Sequence, residues 1–160
     1  MGVPRGYAAP EVIFDENPGP PCDVWALAVL THVLVSGGVE LFPCPHGLVQ
    51  EVLREMVLAL GEFPERWWKR WAERGQYFDE NGNWVGDNKC LSSVSGKLIK
   101  VFNRLTERET SSFEMTIRKM VGYEPKERAV IDEVVKEIPS SWLTTNGGES
   151  HADLFTRIVS

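Results

Sequence analysis

Asp23-Val24-Trp25-Ala26-Leu27-Ala28-Val29-Leu30-Thr31-His32-Val33-Leu34-Val35 carries one acid at its head and almost nothing polar behind it. Pro20-Pro21 precede the stretch and Gly37-Gly38 follow it, residues that bound helices. At about 1.5 Å of rise per residue it makes a helix of roughly 20 Å. That is too short for a bilayer, which takes about 20 apolar residues. A helix that is apolar all round belongs inside a protein core. A buried helix from residue 22 to 36 is therefore expected at the centre of the fold, with the other elements packed around it.

The flanking chain reads as mainly helical. Pro10 suits a first helical position, so Glu11 to Phe14 can make one turn. Downstream, Leu48, Val49, Val52, Leu53, Met56, Val57 and Leu60 recur at helical spacing, which predicts an amphipathic helix from His46 to Leu60 ended by Gly61. Trp67 and Trp71 stand four apart in a short helix after Pro64. Basic residues between them invite a nucleic-acid or peptide reading, but aromatics at this spacing usually carry burial energy, and that is the reading preferred. Asn81-Gly82 between Phe78 and Trp84 signals a hairpin. Asp79, Asn81 and Asn83 mimic the start of a calcium loop, yet Trp84 and Cys90 stand where such a loop needs Gly and Glu. Residues 87–95 read as a polar linker, and Ser95-Gly96-Lys97 lacks the rest of a phosphate loop. Short helices are expected over 98–105, 110–121 and 130–138, the last ended by Pro139.

The chain has 160 residues, 42% hydrophobic and 25% charged, with a net charge of −6. That is the composition of one ordinary globular domain. The acidic balance argues against a broad nucleic-acid surface, which needs clustered Lys and Arg. Met1-Gly2-Val3-Pro4-Arg5 has no apolar signal run, and Cys22, Cys44 and Cys90 are few and widely spaced. Reduced thiols and a cytoplasmic or nuclear location are expected, with neither nucleic acid nor membrane as a partner. Cys44-Pro45-His46 could be half a zinc site, but no second ligand pair at metal spacing accompanies it.

Three motifs in order carry a family resemblance. Gly6-Tyr7-Ala8-Ala9-Pro10-Glu11 precedes Asp23-Val24-Trp25-Ala26-Leu27, and Met120-Val121-Gly122-Tyr123-Glu124-Pro125-Lys126-Glu127-Arg128 lies far downstream. Ala-Pro-Glu closes the activation segment of protein kinases. The order resembles the carboxy-terminal half of the kinase large lobe, over residues 2 to 138. The tandem Trp67-Trp68 and the Phe78-to-Trp84 run resemble the insert of SR-protein-kinase-like enzymes.

The resemblance implies a kinase-like C-lobe around a buried central helix with a short hairpin-containing insert. It would divide the chain into a partial kinase domain, residues 1–143, and a flexible tail, 144–160, with a short helix over 151–159. Val3, Pro4, Arg5, Gly6 and Tyr7 match the pocket that receives the substrate residue after the phosphorylated Ser or Thr. Pro4 stands where the family has Thr, so the hydroxyl that would bond the catalytic Asp and Lys is missing. Glu11 and Arg128 match a structural ion pair, and Trp25 lies in the central-helix motif. Asp23 matches the aspartate that bonds the catalytic loop, with helix capping as its local alternative.

Gly-x-Gly-x-x-Gly, Val-Ala-x-Lys, His-Arg-Asp and Asp-Phe-Gly do not occur in the sequence, and phosphoryl transfer depends on them. The resemblance thus implies no catalytic residue, metal or cofactor here, with Mg-ATP belonging to the complete parent domain. The partner would be a protein substrate, or a protein covering the part of the central helix left bare by the missing elements. The alternatives are a non-catalytic interaction module and half of a split kinase.

Overall fold

A computed structural model describes residues 4–16, 18–86 and 107–137. Val3, the linker at 87–95, the expected helix at 98–105 and the tail at 144–160 lie outside the described residues. The described elements are α1 (Pro10–Ile13), α2 (Pro20–Val35), α3 (Val49–Leu60), α4 (Glu65–Arg70), α5 (Glu107–Met120) and α6 (Ile131–Glu137), with 3-10 turns at Arg5–Tyr7, Ala72–Gln76 and Pro125–Glu127. Phe78 and Trp84 form an isolated antiparallel bridge, and the described residues contain no longer strand.

Helix α2 is the hub, packing on α5 and on the turns at Arg5–Tyr7 and Pro125–Glu127. It starts earlier than the apolar run suggests. Pro20 and Pro21 occupy its first turn instead of standing ahead of it, because proline fits helix positions whose N–H needs no intrahelical partner. Gly19 is therefore the N-cap, and Asp23 is exposed one turn inside. The capping role weighed for Asp23 is not what the structure shows. Its charge still lies in the first turn, where it complements the helix dipole.

Nor is α2 buried on every side. Val24, Trp25, Ala28, Val29 and His32 form the buried face. Leu30 and Leu34 are 44% and 48% exposed, and Ala26, Leu27 and Val33 are half-buried beside them. The apolar sequence of the helix is thus matched by cover on one face only.

Helix α3 begins at Val49, after a turn that takes up His46 and Leu48. Val52, Leu53, Met56 and Val57 face the core. Trp67 and Trp71 are fully enclosed, as the burial reading of the tryptophans expects. In α6 Val134 is buried, whereas Ile131 and Val135, and Val130 just before the helix, are exposed. The apolar periodicity over 130–138 overstates that helix's burial, because the described residues cover a single face of it.

The hairpin is held by Asp79. Its carboxylate accepts N–H bonds from Asn81 (2.9 Å), Asn83 (2.8 Å) and the Asn83 side chain (3.1 Å). Those three bonds close the turn on the Asp79 side chain. Gly82 sits at φ 77° in that turn, a backbone region that other residues rarely enter.

Candidate functional site

The segment from Pro4 to Tyr7 forms one tight turn, closed by the Tyr7 amide donating to the Pro4 carbonyl at 2.9 Å. Gly6 allows a close approach there. A Cβ on Gly6 would stand 3.1 Å from the Phe42 carbonyl oxygen, so the turn lies directly on the backbone of the 40–48 loop. Arg5 is exposed, and Tyr7 is half-buried. Between this turn and the bare face of α2 lies an open pocket of about 340 Å³, lined by Pro4, Tyr7, Ala26, Leu27 and Leu30. Its lining is almost wholly apolar, so it suits an apolar side chain or an apolar element of another domain.

Beneath the turn runs a continuous stack. Phe42 lies over Trp25 with ring centroids 5.3 Å apart at 16°. The Arg128 guanidinium sits over the Trp25 ring as well, 5.0 Å from its centroid. Arg128 then grips Glu11 through two bonds of 2.7 Å, Nη1 to Oε1 and Nη2 to Oε2. The pair is buried, with side-chain exposures of 0% and 3%. Arg128 also donates to the carbonyls of Gly122 (2.7 Å) and Pro21 (2.9 Å). The planar fork of Arg suits this bidentate hold. The Cys22 thiol adds a third donor to Glu11 at 3.1 Å. Burial pushes the Glu11 carboxyl up, but the Arg128 and Cys22 hydrogen bonds outweigh it and leave it below its ordinary value. Gly6, Phe42, Trp25, Arg128 and Glu11 thus connect the exposed turn to the start of α2 and the 122–128 segment.

The Trp25 indole N–H has no hydrogen-bond partner among the described residues, although the ring is fully buried. Trp25 therefore serves this site as a flat surface for Arg128 and Phe42. Asp23, exposed on the far side of the helix, takes no part in the stack.

Two further constellations escaped the sequence reading. Glu16 accepts the Trp67 indole N–H at 2.7 Å and lies 3.7 Å from Arg66 and 3.8 Å from Arg70. Arg66 in turn makes a bidentate pair with Glu124, at 2.6 and 2.9 Å, and Arg70 donates to the Phe14 carbonyl. These contacts fasten α4 to the chain between α1 and α2 and to the 122–128 segment. No local spacing rule connects Glu16 with Glu124, so nothing short-range in the sequence announced them.

The second centres on Glu51. Its carboxylate accepts the His46 and Leu48 amides, at 3.1 and 3.2 Å, and the His46 Nδ1–H at 2.5 Å. A Glu three residues after a helix N-cap, reaching back to the N-cap N–H, is half of a capping box and was legible in Leu48-Val49-Gln50-Glu51. His46 is thus engaged with a carboxylate, and the described residues contain no group of three His, Cys, Asp or Glu able to hold a metal. Burial pushes Glu51 up, but these hydrogen bonds overcome it and bring the carboxyl down to about 2.

A carboxylate with a folded pKa below its unfolded one stabilises fully above the unfolded value and loses that contribution as pH falls through the folded one. Glu51 should therefore add to an acid transition spread between about pH 4.5 and about pH 2. Glu51→Gln should flatten that limb in a pH titration of the urea midpoint. An unchanged limb would remove Glu51 from the loop's acid sensitivity.

No family model matches the chain. It is 39% identical over 125 residues to a calcium/calmodulin-dependent protein kinase of Metarhizium anisopliae, covering 72% of this chain and 32% of that protein. It is 30% identical over 136 residues to the probable dual specificity protein kinase madd-3 of Caenorhabditis elegans, covering 82% of this chain and 15% of that protein. It is 22% identical over 152 residues to the serine/threonine-protein kinase spk-1 of Caenorhabditis briggsae, covering 93% of this chain and 13% of that protein. The chain spans a third or less of the length of these relatives. With its mainly helical fold, the chain is a relative of the serine/threonine protein kinases.

Proposed function

We propose that the chain is the carboxy-terminal half of the large lobe of a Ser/Thr protein kinase, and that it presents the Pro4–Tyr7 turn to a protein substrate. The parent domain transfers phosphate from Mg-ATP to protein Ser or Thr, and this portion by itself does not. The observation that carries this reading is the buried Glu11–Arg128 pair. It fastens the segment that follows the substrate-facing turn to the 122–128 motif, as the family resemblance implies.

The tandem Trp67-Trp68 and the Asp79-locked hairpin support an SR-protein-kinase-like subtype. The acidic net charge supports a partner other than nucleic acid, and the few, widely spaced cysteines support a cytoplasmic or nuclear location. No helix among the described residues is long and apolar enough to cross a membrane.

A second reading, half of a split kinase or a non-catalytic interaction module, is favoured by the exposed Leu30 and Leu34. A bare apolar face beside an apolar pocket calls for a partner.

A chimera tests the proposal. Residues 1–143 replace the matching segment of the Metarhizium kinase, and phosphate transfer from Mg-ATP to myelin basic protein is measured. The expected result is an active chimera, an inactive isolated chain, and loss of activity in the chimera carrying Leu30→Glu and Leu34→Glu. A folded but inactive chimera would overturn the kinase assignment in favour of the interaction module.

Pro4→Thr in the active chimera should raise kcat about tenfold, the kinetic equivalent of one regained hydrogen bond of about 1.4 kcal/mol. Unchanged kcat would mean that the position is not coupled to catalysis.

A further inference from the structure

We draw no further inference here: the strongest candidate, the exposed apolar face of α2 with Leu27, Leu30 and Leu34 beside the pocket under Pro4 and Tyr7, belongs to the site already described, and nothing in the structure shows what else would cover it.

Discussion

Arg128→Leu is expected to destabilise the chain by about 3–5 kcal/mol, because it leaves the Glu11 carboxylate buried without its cation. At a urea slope of about 2 kcal/mol/M the midpoint would fall by roughly 2 M. That loss is comparable with the whole stability of a marginal domain, about 5 kcal/mol. Glu11→Gln keeps the volume and leaves Arg128 its carbonyl acceptors at Gly122 and Pro21, so its expected loss is smaller, about 1–3 kcal/mol. The asymmetry is the diagnostic. If Glu11→Gln proved as damaging as Arg128→Leu, the carbonyl bonds would be doing little for Arg128. If both were harmless, the pair would not be what ties the turn to the 122–128 segment.

The same pair has a pH signature. Glu11 is held below its ordinary value, so it stabilises fully above the usual carboxylate range. That contribution disappears as the medium is acidified through the lowered pKa. Glu11→Gln should remove that part of the acid limb and leave the neutral-pH slope unchanged.

Trp67→Ala should cost a similar amount, about 3–5 kcal/mol, the usual range for emptying a large aromatic site in a core. Trp67 is completely enclosed. It stacks on Phe14 at 5.5 Å and 10°, and meets Phe63 and Tyr123 edge-on at 6.2 and 6.4 Å. Its removal would also strip Glu16 of the indole donor. Trp67→Phe keeps most of the packing and loses that hydrogen bond, for about 1 kcal/mol.

Near-ultraviolet circular dichroism with thermal unfolding separates these outcomes. Trp67→Ala should lower the midpoint and bleach the aromatic signal, whereas Trp67→Phe should do mainly the former, and mildly. A loss under about 1 kcal/mol for the alanine variant would show that the cluster collapses around the gap. The Arg66–Glu124 contact beside it is near 40% exposed on both sides. Breaking it should change stability by less than about 1 kcal/mol, so the ring cluster and not the surface pair governs this corner.

The elements were legible wherever an interaction lies within a few residues. Period 3.6 in Val52, Leu53, Met56 and Val57 marks α3, Pro10 marks the start of α1, and Asn81-Gly82 marks the hairpin. Each is a local steric or hydrogen-bonding preference that needs no partner elsewhere in the chain. Glu11 and Arg128 were joined only through the family resemblance, since neither residue's surroundings in sequence indicate that the other is near.

What tertiary structure alone decided is which faces are covered and which distant groups meet. Composition makes α2 apolar throughout, but exposure depends on the elements beside it, and so Leu30 and Leu34 stand bare while Val29 and His32 are enclosed. The same applies to Val130 and Val135, to the encounter of Glu16 with Trp67, Arg66 and Arg70, and to the stack of Phe42, Trp25 and Arg128 beneath the turn. Burial and long-range pairing are properties of the packed assembly. The existence of the helices and of the hairpin turn follows from neighbouring residues, and this the sequence determined by itself, whereas the first residues of α2 and α3 and their caps were fixed only in the fold.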